Sequence, residues 1–173
     1  LTITYLSFGG IGNWKSLPLR QKMLTCMVAI WACRLGSFLF GRIQHEGGID
    51  SRFTAIKKSV LRFCTAWTLQ GVWVFFTTLP VLALNTSVAT DTDTPLGFND
   101  YLGASIWIVG FLFEVIADMQ KTAFRAEPRN KGKFIQSGLW KISRHPNYFG
   151  EITLWSSVCM IASFGGLMKW STF

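Results

Sequence analysis

Four ionisable residues of one apolar segment have the spacing of a single helix face. These residues, at positions i, i+4, i+7 and i+11, are Glu114, Asp118, Lys121 and Arg125. Ionisable groups inside a membrane helix are costly unless they line a polar cavity, and carboxylates one helical turn apart repel each other. The pattern therefore predicts a polar site on this helix. As an alternative, the last turns of the helix emerge among lipid headgroups and Asp118 and Lys121 form an ordinary ion pair.

A second polar group surrounds the start of a later apolar segment. Pro146 suits the first position of a helix, so Arg144 and His145 precede a helix N-terminus, where free N–H groups favour an anion. Asn147 and Glu151 are four residues apart and share a helix face, with Tyr148 beside them. These groups suit a phosphorylated, hydroxyl-rich cofactor. The alternative is contact with lipid headgroups and an aromatic belt at the membrane surface.

The composition predicts that both groups belong to a membrane protein. Half of the 173 residues are hydrophobic and 15% are charged, with 15 Phe and 8 Trp, which excludes a disordered chain. Four segments are apolar over the roughly 20 residues that a spanning helix needs. They are 23–40, 63–84, 101–119 and 147–168. The sequence predicts an all-α fold, a polytopic membrane helix bundle of about four spanning helices in one domain, residues 1–173.

Basic residues are distributed unequally among the loops between these segments. The loops 42–62 and 121–145 are rich in Lys and Arg, whereas 85–100 contains neither. The positive-inside rule then places 42–62 and 121–145 on the cytoplasmic side and 85–100 on the opposite side. Lys15, Arg20 and Lys22 oppose this orientation but are fewer. We expect a multi-pass protein of the endoplasmic reticulum or another organelle membrane.

The remaining sequence features restrict partners and metals. The net charge of +8 in so apolar a chain favours anionic lipid or phosphate over nucleic acid. No metal site is expected, because the four cysteines form no C-x-x-C pair and His45 and His145 are far apart. The chain begins at Leu1, and residues 1–8 have the character of the end of an apolar segment, so we expect further sequence before it.

Residues 138–151 resemble the signature of membrane steroid and sterol reductases. The motif Arg-His-Pro-Asn-Tyr-Phe-Gly-Glu at 144–151, followed by Trp155, is long and specific. The similarity extends over 110–129, 34–39, Arg42 and 50–53, and covers most of residues 30–168. The chain is identified as a member of the DUF1295 family, similar to the C-terminal domain of 3-oxo-5-alpha-steroid 4-dehydrogenases. The superfamily also includes isoprenylcysteine carboxyl methyltransferases.

The resemblance implies a membrane oxidoreductase whose C-terminal half, residues 101–168, binds NADPH from the cytoplasmic side. Its reaction would be the reduction of a double bond in a lipid-like or steroid-like enone, a step of lipid metabolism. Asp118 and Arg125 match positions that hold an acid and a base against the cofactor, and Glu114 matches a polar position of the same site. The other residues assigned to the cofactor are Lys121, Arg144, His145, Asn147, Tyr148 and Glu151. No catalytic residue is assigned.

Two other functions stay open at this point. Related methyltransferases share the His-Pro-x-Tyr pattern, so the cofactor could be S-adenosylmethionine. Steroid 5-alpha reductases use a tyrosine in the region that here reads Ala29-Ile30-Trp31-Ala32, and this difference favours a structural subunit of a membrane complex. The acidic and basic stripe at 114–125 favours the reductase.

Overall fold

The computed structural model describes residues 17–45, 47, 56–86 and 95–164. These residues form α-helices joined by turns, and the described part contains no β-strand, which confirms the predicted all-α class. The helices are α1 (Leu19–His45), α2 (Val60–Thr86), α3 (Phe98–Ala126) and α4 (Pro146–Phe164). Two short 3-10 segments, Pro128–Asn130 and Gly138–Lys141, lie between α3 and α4. Residues 1–8, which raised the expectation of preceding sequence, lie outside the described residues.

The helices α1, α2 and α3 extend beyond the predicted apolar segments at both ends. Helix formation does not stop where hydrophobicity stops, because polar residues propagate an existing helix at little cost. α1 begins directly after Pro18, whose carbonyl accepts from the Lys22 amide at 3.1 Å. α3 ends at Ala126 because Pro128 disfavours helical backbone at Glu127, which is extended (φ −83°, ψ 117°).

Three of the described helices are long and apolar enough to cross a membrane. These candidate spans are Leu19–Gln44, Val60–Asn85 and Phe98–Ala126. α4 is not among them, because its described part carries Asn147, Glu151 and several hydroxyl residues. The fourth predicted segment, 147–168, continues past the described residues, so its full length as a span stays a prediction. The chain is a membrane protein.

Residue contacts divide the chain into two compact units, Leu1–Thr92 and Asp93–Phe173. The grouping of all helices in one domain therefore stays a prediction. In the first unit, α1 and α2 are antiparallel. The Gln21 side chain donates to the Leu84 carbonyl at 3.0 Å, and the Trp31 and Trp73 rings lie 6.1 Å apart at the other end of the contact.

In the second unit, α3 and α4 are antiparallel and pack along most of the length of α4. Gly103 lies against Ile161 near one end, and Phe113 meets Phe149 edge-on at 5.5 Å further along. The core residues of α4 in this contact are fully buried: Leu154, Val158, Ile161 and Ala162. This unit contains every residue that the sequence assigns to the cofactor.

Candidate functional site

One face of α3 is buried along the helix. The buried positions recur at intervals of three and four residues, as expected for a helix that packs along one stripe. They are Asp100, Gly103, Trp107, Gly110, Glu114, Ala117 and Asp118. The ionisable stripe predicted from the sequence is thus the continuation of the packing face of α3.

The two helices come into backbone contact at Gly110 and Gly150. A Cβ atom on Gly150 would lie 2.6 Å from the Gly110 carbonyl oxygen and 2.7 Å from the Glu114 amide nitrogen. A Cβ atom on Gly110 would lie 2.8 Å from both the Gly150 carbonyl oxygen and the Leu154 amide nitrogen. Only glycine at both positions permits this approach, since the atoms that block a side chain belong to the backbone. The contact fixes the position along α4 that lies opposite Glu114.

The two carboxylates of the stripe are buried. Glu114 has 4% of its surface exposed and Asp118 has 8%. Because the helices are antiparallel and Glu114 is adjacent to Gly150, one further turn of α3 brings Asp118 level with Pro146 at the start of α4. Asn147 lies at a level between the two carboxylates. A buried carboxylate is destabilising unless polar groups accompany it, so the interior of this unit is polar at this level.

Asn147 is the polar group of α4 at that level. Its Oδ1 atom is buried and has no hydrogen-bond partner in the described part of the chain. A buried amide oxygen without a donor is unfavourable by about 1–3 kcal/mol. Glu151, one turn later on the same face, is half-buried. The Asn147 oxygen is therefore available to accept a hydrogen bond from a bound molecule.

Towards the end of α3 the stripe becomes exposed. Lys121 is half-buried, and its Nζ atom lies 4.6 Å from the centre of the Trp140 ring, in the geometry of a cation–π contact. Arg125, in the last turn, is exposed, where its charge complements the helix dipole. The stripe thus passes from buried carboxylates to accessible cations.

The 3-10 segment Gly138–Lys141 is attached to this part of α3. The Trp140 Nε1–H donates to the Ala117 carbonyl at 2.9 Å, and the Leu139 amide donates to Gln120 Oε1 at 2.9 Å. Gly138 has φ +58°, a conformation that favours glycine, and a Cβ atom there would lie 2.5 Å from the Gln120 side chain. These contacts hold the chain in place shortly before it enters α4.

The entry to α4 carries the remaining predicted residues. Pro146 occupies the first position of α4, as the sequence predicted. Its side chain is fully buried. Arg144 and His145 are exposed, and the His145 ring is stacked on Tyr148, with centroids 5.2 Å apart and planes at 13°. Tyr148 has 58% of its surface exposed. An anion at this helix start would meet accessible cations rather than buried ones.

The predicted residues therefore fall into two sets. Those that the structure brings to the contact between α3 and α4 are Glu114, Asp118, Asn147 and, half-buried, Glu151. Those on the exposed side are Arg125, Arg144, His145 and Tyr148. Lys121 lies between the two sets, with its ammonium group on the Trp140 ring. The binding of a cofactor by these residues stays a prediction.

Sequence reasoning missed the residues that position this site. Gly103 and Gly110 are seven residues apart, hence on one helix face, and this spacing is a signal of close helix packing. Gly150 stands inside the recognised motif, but its role is steric. No local signal identifies Gln120 or Trp140, because their partners lie about 20 residues away in sequence.

Comparison with known proteins gives a family and a relative. The family model described as "Protein of unknown function (DUF1295)" matches residues 3–172. A curated relative, "Probable O-methyltransferase ustE" of Ustilaginoidea virens, is 35% identical over 112 residues. That match includes 58% of this chain but 39% of the relative, so the chain spans well under half of the relative's length. No solved structure matches the chain.

Fold and site together define a helical membrane protein with buried carboxylates between two antiparallel helices and cations at their exposed end. The chain belongs to the DUF1295 family, since the family model matches nearly all of it. This confirms the family inferred from the motif at 144–151.

Proposed function

We propose that the α3–α4 unit binds NADPH and that the chain is part of a membrane reductase acting on a double bond of a lipid or enone. The observation that supports this most directly is the arrangement of charge along the packing stripe. Buried acceptors at Glu114, Asp118 and Asn147 lie next to exposed cations at Arg125 and Arg144. A dinucleotide needs both kinds of group. Its ribose hydroxyls and its carboxamide N–H groups need acceptors, and its phosphates need cations.

The residues of this unit fit such a group. The Asn147 Oδ1 atom lacks a donor within the described residues, and the amide or hydroxyl hydrogens of a nucleotide supply one. Glu114 and Asp118 accept hydrogen bonds from ribose hydroxyls, while Arg125, Arg144 and His145 meet phosphate oxygens. When bound, NADPH would supply the hydride for one carbon of the double bond, and water would supply the proton for the other. The role of the protein's own side chains is to bind the cofactor and to orient it.

A second candidate is an O-methyltransferase that uses S-adenosylmethionine. The relative from Ustilaginoidea virens, named a probable O-methyltransferase, favours it. S-adenosylmethionine carries no phosphate and bears a positive sulfonium, and its one anionic group is the carboxylate of its methionine part, so it would give the exposed cations fewer partners than the phosphates of NADPH do. The buried carboxylates, in contrast, suit its ribose and amino groups. The charge of the exposed end therefore favours NADPH.

Direct binding measurements on the purified chain in lipid nanodiscs separate these functions. NADPH is titrated by nicotinamide fluorescence and radiolabelled S-adenosylmethionine by equilibrium dialysis. We expect NADPH to bind and Asp118→Asn to weaken it by about tenfold, because a hydrogen bond to a charged group contributes about 1.5–3 kcal/mol.

Asp100→Asn is the matched control for this variant. Asp100 is also a buried acid on the packing stripe of α3, but it lies about 27 Å from Asp118 along the helix. Its Oδ2 atom accepts from the Gly97 amide at 2.8 Å, so it caps the helix instead of facing the site. Binding of S-adenosylmethionine alone would establish the methyltransferase, and binding of neither molecule would favour the structural subunit.

A further inference from the structure

Two large apolar side chains between α3 and α4 are almost fully exposed. Phe134 has 90% of its surface exposed and Ile142 has 81%. Each is next to exposed cations: Lys131 and Lys133 precede Phe134, and Lys141 precedes Ile142. We call these five residues the basic-apolar loop.

This loop is held beside a candidate membrane span. α3 ends at Ala126, and the chain then folds back, because the Asn130 side chain donates to the Phe124 carbonyl at 3.0 Å. The Trp140 indole reaches Ala117, about two and a half turns inside the candidate span. Phe134 and Ile142 lie on either side of that anchored segment. These contacts keep both ends of the loop close to the C-terminal part of α3, which is one end of a candidate membrane span.

We propose that the basic-apolar loop is a binding surface for anionic phospholipid. Its apolar side chains enter the boundary between headgroups and acyl chains, and its lysines meet the lipid phosphates, the combination by which interfacial segments bind charged membranes. Lysine suits this position because its aliphatic stem lies along apolar surface while its ammonium group stays at the headgroups. An anionic phospholipid would thus both bury Phe134 and neutralise the charge of the lysines.

The surface is separate from the proposed nucleotide site. The buried polar groups of that site are Glu114 and Asp118 on α3 and Asn147 on α4, whereas the side chains of the basic-apolar loop are exposed. Its test therefore does not depend on nucleotide binding.

The experiment places a fluorescent probe beside the loop without removing any of its residues. A background without native thiols, in which Cys26, Cys33, Cys64 and Cys159 are serine, receives Gln136→Cys, an exposed position two residues after Phe134. The labelled chain is reconstituted in nanodiscs of phosphatidylcholine alone or with phosphatidylserine. Quenching is measured with a lipid that carries a quencher near its headgroup, and with iodide in the buffer.

We expect lipid quenching to increase and iodide quenching to decrease when phosphatidylserine is present. Lys131→Gln and Lys133→Gln should each lower the ratio of lipid-quenched to unquenched probe by about fivefold, and Phe134→Ser should lower it in both lipids. Phe98→Ser is the matched control, since Phe98 is 78% exposed at the other end of α3, where no Lys or Arg is near in sequence. It should leave the probe unchanged.

Three outcomes would overturn the proposal. Equal lipid quenching with and without phosphatidylserine would show that the loop has no preference for anionic lipid. Strong iodide quenching in both bilayers would place the loop in water. Protection from both quenchers would show that another part of a protein covers Phe134. Free inorganic phosphate, added as a competitor, should not displace the probe from the lipid.

Discussion

The backbone of Gly110 in α3 lies directly against that of Gly150 in α4, and neither position has room for a side chain. This single contact sets the spacing between the helices at the level of the buried carboxylates. Glu114 is one turn from Gly110, and Asn147 is one turn from Gly150. The close approach thus positions the candidate site as well as packing the two helices.

Gly150→Ala should therefore destabilise the chain. The new methyl group would clash with the Gly110 carbonyl oxygen and the Glu114 amide, so the helices must separate. We expect this to lower the free energy of unfolding by about 1–3 kcal/mol. Thermal unfolding in detergent measures the effect. Gly71→Ala in α2 is the matched control, because nothing lies within 4 Å of a Cβ there and alanine favours helix by about 0.5–1 kcal/mol. Unfolding of both variants at the wild-type temperature would contradict the close contact.

Trp140→Phe should loosen the segment that leads into α4. The ring next to Lys121 is kept, but the hydrogen bond from Nε1 to the Ala117 carbonyl is lost, which is worth about 0.5–1.5 kcal/mol. We expect faster proteolysis between 127 and 145 and weaker NADPH binding. Trp67→Phe, at a half-exposed tryptophan of α2, serves as the control. An unchanged cleavage rate would show that the indole nitrogen does not hold the segment.

Arg125→Gln should weaken NADPH binding and reduce its dependence on salt. The guanidinium is exposed, so its contribution is screened and we expect about a fivefold loss, less than at a buried partner. Titrations at low and high ionic strength measure both effects. Lys57→Gln, which removes an exposed cation of the other basic loop, should leave the affinity unchanged. An equal loss in the two variants would show a general effect of net charge.

The two ends of α3 should lie on opposite sides of the membrane. At about 1.5 Å per residue its 29 residues reach roughly 43 Å, more than the roughly 30 Å of a bilayer core. In the background without native thiols, Asn99→Cys and Lys133→Cys report the two ends, since both positions are exposed. A membrane-impermeant maleimide added to sealed vesicles should label one of them only. Labelling of both from one side would refute the orientation drawn from the loop charges.

Local patterns account for the parts of the fold that could be predicted. The apolar segments located all four described helices, because a helix in lipid satisfies its own backbone hydrogen bonds and needs only a long apolar sequence. The helix ends were less accurate, as the C-terminus of α3 shows: hydrophobicity declines after Met119, but the helix continues until Pro128 makes it unfavourable. Pro146 at the first position of α4 was predicted because its effect on φ is local.

The family and the identity of the polar residues also came from the sequence alone. The motif at 144–151 is contiguous, so it can be recognised without coordinates, and the family match confirms it. The spacing of Glu114 and Asp118 placed them on one face for the same reason. The identity of the molecule that they bind does not follow from local sequence, and it is a prediction that the binding experiments test.

Only the tertiary structure decided which of these residues are buried and which are accessible. Glu114 and Asp118 are enclosed because Gly110 and Gly150 bring two backbones together, whereas Arg125 lies beyond the level at which α4 begins and is exposed. The hydrogen bonds from Trp140 and Leu139 to α3 likewise join residues about 20 positions apart. The sequence determines the helices and their polar stripe through interactions within a few residues. Burial depends on what the second helix covers, and that follows from packing between segments distant in the chain.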